Sequence, residues 1–135
     1  MPGLNEMRID HLGIAVTSLE KALAFYERQL GLSVSLRETV EQEKVKVAML
    51  PAGDSRIELL EATGPDSVIA KFIEKRGEGL HHVALKVPDL DAIVARLKAA
   101  GAQLLNDPRP GTGGHLYVFV HPSSTGGVLV ELIQE

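Results

Sequence analysis

Four polar residues of this 135-residue sequence stand among apolar neighbours, in stretches that read as β-strands. They are His11, Glu58, His82 and Glu131, within "IDHLGI", "RIELLE", "HHVAL" and "LVELI". Two imidazoles and two carboxylates form an N2O2 donor set, which suits a divalent metal ion with open positions for water or a substrate. The sequence contains no cysteine, so thiolate ligands are excluded. The set suits cobalt, zinc, nickel or manganese alike; cobalt is the ion that we expect, although the donor types do not select it.

The two histidines occupy matching places in an internal repeat. The stretches "IDHLGIAVTSL" and "LHHVALKVPDL" share a histidine ahead of an alternating run and a leucine eight residues later. His11 and His82 lie 71 residues apart, and Leu19 and Leu90 keep that offset. A fixed offset of this kind predicts two copies of one structural unit.

Two further landmarks extend the repeat. Pro51 and Pro122 keep the offset of 71, whereas Glu58 and Glu131 are 73 apart because the second hairpin turn is two residues longer. Small four-stranded sheets are marginal alone and tend to pack together, so matching positions of two such modules converge near a pseudo-two-fold axis. The repeat therefore predicts that each module supplies one histidine and one glutamate to a shared metal ion.

A simpler interpretation stays open for these residues. Side chains alternate between the two faces of a strand, so any one of the four can point to water. Together they can also be solvated or hydrogen-bonded pairs left from a duplication. His81 precedes His82 and is expected to face the other side of the strand, in a structural role. His115 and His121 have no counterparts in the first module, and His121 is expected to line a pocket or to cap a turn.

Sequence patterns predict the order β-α-β-β-β in each module. In the first, Thr17 and Glu20 form a capping-box pattern that starts a helix, and Gly31 ends it. In the second, Asp89 is the expected N-cap and Gly101 the stop. Strands are predicted at 9–16, 32–40, 44–51 and 56–62, and again at 80–87, 102–108, 115–122 and 128–134.

The modules are expected at about residues 7–64 and 79–135, joined by a linker helix at about 66–77 with Asp66 as its N-cap. The predicted fold class is α+β: two paired βαβββ modules form a curled mixed sheet around the metal site, with helices outside. A chain of 135 residues is expected to form a single domain of this kind.

Charge and hydropathy narrow the choice of partners. The formal net charge is −4, and acids and bases are interspersed without a basic stripe, which argues against a nucleic-acid partner. No apolar run approaches the roughly 20 residues that a membrane-spanning helix needs. The first ten residues lack the apolar core of a signal peptide. A cytoplasmic protein with no membrane partner is therefore expected.

Several of these stretches resemble a known family. "IDHLGIAV", "LEKALAFYERQLG" and "GLHHVALKV" resemble the vicinal oxygen chelate superfamily of glyoxalases, bleomycin resistance proteins and dioxygenases. "SRIELLEATGPDSVIAKFIEKRGEG" and "GTGGHLYVFVHPSSTGGVLVELIQ" more closely resemble the methylmalonyl-CoA epimerase family. The resemblance runs from about residue 8 to the end. It implies a divalent metal held by His11, His82, Glu131 and Glu58, the last at a position where some epimerases carry glutamine and related glyoxalases carry glutamate.

The resemblance implies that the chain interconverts (R)- and (S)-methylmalonyl-CoA by metal-assisted removal of the α-proton through an enolate. Glu131 is the first candidate for the catalytic acid or base, and Glu58 is the second. Certain epimerases carry a proposed catalytic glutamate at a position that we match to Lys46, so the second acid–base group stays open. Lys46 itself either orients a carboxylate or is a solvated strand residue. An acyl-CoA substrate and a homodimer are implied as well.

Two other functions stay open: a glyoxalase I-like lactoylglutathione lyase, and a non-catalytic ligand-binding module of the same fold. The carboxy-terminal motif favours the epimerase. The stretch "RPGTGGH", residues 109–115, is either a mobile rim of the substrate site or an ordinary hairpin turn. Four cations are candidates for contacts with the phosphates of coenzyme A: Arg37, Lys75, Arg76 and Arg109.

Overall fold

The structure is a computed structural model that describes residues 6–135. The prediction about a signal peptide rests partly on residues 1–5, which lie outside that range. The strands are β1 (Arg8–Ala15), β2 (Leu36–Val40), β3 (Val45–Ala52), β4 (Ser55–Ala62), β5 (Gly79–Val87), β6 (Arg109–Pro110), β7 (Leu116–Val120) and β8 (Val130–Gln134). The helices are α1 (Leu19–Leu23), α2 (Val68–Arg76) and α3 (Leu90–Ala99), with short 3₁₀ turns at Glu41–Glu43, Thr112–Gly114 and Pro122–Ser124. None of the helices within the described range has the length and apolarity of a membrane-crossing segment.

The chain forms two compact units, one of residues 11–81 and one of residues 6–10 with 82–135. In the first, here called module one, the strand order is β2-β3-β4-β1, with β1 parallel to β4 and the other neighbours antiparallel. In the second, module two, the order is β5-β8-β7-β6, with β5 parallel to β8 and the other neighbours antiparallel. The predicted α+β class is confirmed. The βαβββ order is confirmed in module one, and in module two it is completed by the short strand β6, which lies after the predicted segment.

Helix α1 begins one residue later than the capping-box pattern predicts. Its N-cap is Ser18, whose hydroxyl accepts a hydrogen bond from the Lys21 N–H. Thr17 instead donates from its hydroxyl and its N–H to the Glu78 carboxylate, at 2.6 and 2.7 Å, and these bonds lower the pKa of Glu78. The prediction that Thr17 is the cap was wrong because its hydroxyl bonds a group 61 residues away in the chain. The helix then widens into π-type turns that stop before Gly31, at φ 91°.

The sheet of module one carries apolar side chains on both faces. On one face Leu50 and Leu59 pack against α1. On the other, Val47 and Leu60 pack with Ile69 of α2. Because successive strand residues alternate between faces, a one-residue slip would exchange the two apolar sets. The packing therefore holds β3 and β4 in one register, which decides where their polar residues point.

In module two, one face of the sheet packs on α3. Val118 and Leu132 are buried there with Leu90 of the helix. The predicted N-cap is confirmed, since the Asp89 carboxylate accepts a hydrogen bond from the Ala92 N–H at 3.1 Å. This burial leaves the alternate residues of β5, β7 and β8 on the opposite face.

The predicted strand at 102–108 was wrong. Only an isolated bridge joins this segment to β7, ahead of the two-residue strand β6. The side chain of Asn106 bonds the backbone of β7 instead: its Oδ1 accepts from the Phe119 N–H at 2.8 Å, and its Nδ2 donates to the Tyr117 carbonyl at 3.1 Å. Asparagine side chains compete with a regular ladder in this way, and apolar patterning does not reveal it.

Helix α2 occupies the predicted linker, but its N-cap is Ser67 and not Asp66. The Ser67 hydroxyl accepts a hydrogen bond from the Ile69 N–H at 3.1 Å. The Asp66 carboxylate pairs with the Lys44 ammonium, and this contact lowers the pKa of Asp66. Both residues suit an N-cap by type, so the tertiary contact with Lys44 decides between them.

Candidate metal centre

One face of the module-one sheet brings His11 and Glu58 together. Strands β1 and β4 run parallel with Gly13 opposite Glu58, and His11 shares the face of Gly13 because it lies two residues earlier. The distance from His11 Nε2 to Glu58 Oε1 is 3.6 Å, and the two side chains are 8% and 16% exposed. A histidine and a carboxylate are thus held side by side, largely out of bulk water.

Module two repeats this arrangement with His82 and Glu131. Strand β5 runs parallel to β8 with Ala84 opposite Glu131, and His82 lies two residues before Ala84. The distance from His82 Nε2 to Glu131 Oε1 is again 3.6 Å, with side chains 7% and 14% exposed. The repeat predicted that each module supplies one histidine and one glutamate, and these two pairs are those residues.

The geometry of each pair fits two ligands of one divalent cation. A separation of 3.6 Å is longer than an ordinary N–H···O hydrogen bond. Metal–ligand bonds of about 2.1 Å place neighbouring ligand atoms about 3.4 Å apart in a tetrahedral site. Imidazole nitrogen and carboxylate oxygen also suit the same group of transition metals. Each pair therefore supplies half of the predicted N2O2 set, and the sharing of one ion by both pairs stays a prediction.

The register also shows which residue faces each glutamate across the antiparallel strand. Met49 of β3 lies opposite Glu58, and Phe119 of β7 lies opposite Glu131. Met49 and Phe119 are 70 residues apart, whereas the two prolines of the repeat, Pro51 and Pro122, are 71 apart. The pairing of β7 with β8 is therefore shifted by one residue relative to the pairing of β3 with β4. Neither residue was among the predicted site residues. Each is an apolar residue in an alternating run, and this pattern is equally typical of a residue in the hydrophobic core.

Aromatic rings line the module-two pair. The Phe119 ring packs edge-to-face against the His82 ring, with centroids 6.0 Å apart. Tyr117, two residues earlier on the same face, packs edge-to-face against Phe119 at 5.7 Å. Module two therefore packs one aromatic ring on its histidine and a second ring on the first.

Lys46 points away from the candidate centre. It lies opposite Glu61 in the register, its Nζ is 3.9 Å from Glu61 Oε2, and its side chain is 53% exposed. Strand alternation gives it the face of Ala48, which packs towards α1. Glu58 occupies the opposite face. The placement agrees with a solvated strand residue and not with a group that orients a substrate carboxylate.

The remaining histidines take separate places. The His81 ring packs edge-to-face on Phe72 in module one, with centroids 5.0 Å apart, in the structural role expected of it. His121 Nδ1 accepts a hydrogen bond from the Ser123 N–H at 2.9 Å, so it caps a turn, one of its two predicted roles. His115 Nδ1 lies 3.1 Å from the Gln134 carbonyl oxygen.

Comparison with known proteins identifies the family. Residues 10–119 match the Glyoxalase/Bleomycin resistance protein/Dioxygenase superfamily. The chain belongs to this superfamily. Protein YqjC of Bacillus subtilis, an uncharacterized protein, is 44% identical over 94% of this chain and 91% of its own length. The mitochondrial methylmalonyl-CoA epimerase of Bos taurus is 38% identical over 98% of this chain and 77% of its own length.

Solved structures of the superfamily share the fold. A methylmalonyl-CoA epimerase in complex with methylmalonyl-CoA and NH₄⁺ superposes with a TM-score of 0.87 at 39% identity, covering 96% of this chain and 94% of the other. Among the relatives compared by sequence, a probable lactoylglutathione lyase of Vibrio cholerae is more distant, at 30% identity over 97% of this chain and 93% of its own length. Within the superfamily, the chain therefore belongs with the methylmalonyl-CoA epimerases.

Proposed function

We propose that this protein is a methylmalonyl-CoA epimerase, an isomerase that interconverts the (R) and (S) forms of an acyl-CoA thioester. One observation carries the proposal: a chain of the epimerase family places a buried histidine beside a partly buried glutamate in each module, at the same 3.6 Å separation. The donor types and their spacing suit a divalent cation.

The proposed ligands are His11, Glu58, His82 and Glu131. Each offers one ligand atom of a type that binds transition metals. Cobalt is the favoured ion, with zinc, nickel or manganese as alternatives. When bound, the cation acts as a Lewis acid that favours the negative charge developing on the thioester oxygen.

The two glutamates are the proposed proton carriers. Removal of the α-proton by the Glu131 carboxylate leaves its electron pair in an enolate. A protonated Glu58 on the opposite face returns a proton to the same carbon, which inverts the configuration. The reverse reaction exchanges the two roles, and proton exchange with water resets the carboxyl groups.

Strand β3 offers no ionisable side chain on the face of Glu58. Its residues on the face of Glu58 are Val45, Val47 and Met49, none of which titrates, while Lys46 lies on the face of α1. This placement favours Glu58 as the partner of Glu131.

The acyl-CoA substrate requires contacts beyond the metal ligands. Arg37 is already paired with Glu20, whereas Lys75 and Arg76 lie exposed in the last turn of α2. Arg109 lies exposed in β6. These last three cations are the better candidates for the phosphates of coenzyme A. The homodimer and the cytoplasmic location stay predictions, and light scattering of the purified protein tests the first of them.

Deuterium exchange tests the proposal. Methylmalonyl-CoA incubated with the protein in deuterium oxide is expected to take up deuterium at the α-carbon. A chelator should abolish the uptake, and Co²⁺ should restore it. Lys46→Ala is the matched control, since it changes a titrating residue of the same sheet on the opposite face and should leave exchange unchanged.

Other results would assign a different function. Turnover of methylglyoxal with glutathione, without exchange on methylmalonyl-CoA, would show a lactoylglutathione lyase. Neither reaction, together with the absence of a bound divalent ion at one per chain, would show a non-catalytic binding module. Either result would overturn the epimerase proposal.

A further inference from the structure

Both backbone polar groups of Phe119 are bonded to the segment that precedes β6. Its carbonyl accepts a hydrogen bond from the Leu105 N–H at 2.8 Å, and its N–H donates to Asn106 Oδ1 at 2.8 Å. In an antiparallel ladder both groups of a residue point to the same neighbour, so those of Phe119 point away from β8. Phe119 and Glu131 therefore form a non-hydrogen-bonded pair, the type in which facing side chains lie closest.

Phe119 thus neighbours both members of the module-two pair. It faces Glu131 across the strands and packs edge-to-face on the His82 ring. Such a ring restricts the rotamers of the imidazole and excludes water from one side of the pair. A histidine ligand needs a fixed ring orientation, and groups outside the ligand set usually supply it.

A second ring holds Phe119 from its other side. Tyr117 packs edge-to-face on Phe119, and the backbone at Gly111 packs on Tyr117. A Cβ added at Gly111 would lie 2.8 Å from Tyr117 Cδ1, closer than carbon atoms approach one another. Asn106 fixes the backbone of this aromatic pair, because its amide also donates to the Tyr117 carbonyl.

We propose that Phe119 is a positioning residue for the metal-binding pair His82 and Glu131, and that Asn106 acts through it. The side chain of Asn106 fixes the backbone of β7 through its two hydrogen bonds. The backbone of β7 then fixes the position of the Phe119 ring, and the ring restricts the separation and orientation of the two ligand side chains. This inference rests on the proposed metal site. Neither Phe119 nor Asn106 belongs to the proposed ligand set.

Titration with Co²⁺ tests this role separately from activity. Phe119→Leu keeps an apolar side chain but loses the ring. It is expected to weaken Co²⁺ binding about 10-fold, the usual minimum for loss of a group that orients a ligand, and to change the visible absorption spectrum of the bound cobalt. Asn106→Ala should change both in the same direction by a smaller factor.

Val118→Ala is the matched control. Val118 is the strand neighbour of Phe119, fully buried on the opposite face against α3. Its truncation should lower the melting temperature and leave the cobalt affinity and spectrum unchanged. If Phe119 had a purely structural role, Phe119→Leu would also lower the melting temperature and leave the cobalt affinity and spectrum unchanged.

The outcomes separate the inference from the function on which it rests. If the unaltered protein binds one Co²⁺ per chain and Phe119→Leu binds it with the same affinity and spectrum, the positioning role is wrong and the epimerase proposal stands. An unaltered protein that binds no Co²⁺ would overturn the metal site, and with it both proposals.

Discussion

The two modules keep the same polar pair but support it differently. In each, histidine Nε2 and glutamate Oε1 are 3.6 Å apart on one face of a mixed sheet. Module one places the flexible side chain of Met49 opposite its glutamate, and β3 is flanked by the five-residue strand β2. Module two places Phe119 there and replaces most of the flanking strand by the side chain of Asn106. Each module therefore reaches the same histidine–glutamate separation with a different supporting side chain.

The starts of the helices show the same divergence. The Leu19 N–H at the start of α1 donates to Glu61 Oε1 at 2.6 Å. The Leu90 N–H at the start of α3 donates to Gln134 Oε1 at 2.8 Å. Glu61 and Gln134 are 73 residues apart, the offset of the two candidate glutamate ligands. A charged acceptor in module one thus corresponds to a neutral acceptor in module two. The start of the helix therefore requires an acceptor oxygen atom in both modules, but a negative charge in neither.

The largest expected effects are catalytic, and they compare the two proposed proton carriers. Glu131→Gln should lower kcat by at least about 100-fold, the lower limit for loss of an acid–base group, with a smaller change in KM. Glu58→Gln should lower kcat by a similar factor, because the amide keeps an oxygen ligand but cannot carry the proton that Glu58 is proposed to return. Steady-state kinetics with α-proton exchange measures both. A loss of only about 10-fold in Glu58→Gln, the size expected for a ligand that carries no proton, would show that Glu58 is not a proton carrier. Loss of folded protein in Glu131→Gln would indicate a structural role.

Matched core truncations compare the stability of the modules. Leu59 and Leu132 lie one residue after the two glutamates, and both are buried against the helix of their module. Each change to alanine should lower the free energy of unfolding by about 2–5 kcal/mol. Leu59→Ala should have the larger effect because Leu59 is fully enclosed, at 0% exposure against 5% for Leu132. Denaturant unfolding monitored by circular dichroism measures both, and a loss below about 1 kcal/mol for Leu132→Ala would contradict this view of the module-two core.

The smallest effects are expected at the helix starts. Glu61→Ala and Gln134→Ala should each cost about 1 kcal/mol, as the loss of a helix cap does. In about 1 M salt, where charge interactions are screened, Glu61→Ala should lower the free energy of unfolding by less than it does at low salt. The loss in Gln134→Ala should not depend on salt. Glu61→Gln is the control, because it keeps the acceptor oxygen and removes the charge. Equal salt dependence in the two alanine variants would show that charge does not distinguish these contacts.

Much of the candidate centre followed from the sequence, because strand alternation and a repeat offset are local properties of the chain. The 71-residue offset separated His82 from His81, and the structure places His82 beside Glu131 and His81 on Phe72. Hydrophobic periodicity also predicted the βαβββ order, since it reports directly which face of an element is buried.

Other features depend on contacts between residues distant in the chain. Thr17 and Ser18 are equally good caps by type, and the Glu78 carboxylate decided between them by bonding Thr17. The one-residue shift that sets Phe119 opposite Glu131 comes from the pairing of β7 with β8, and no local pattern encodes it. The sequence by itself thus determined which residues form the two polar pairs. Only the tertiary structure decided what surrounds them, because register and side-chain hydrogen bonds are set when strands meet.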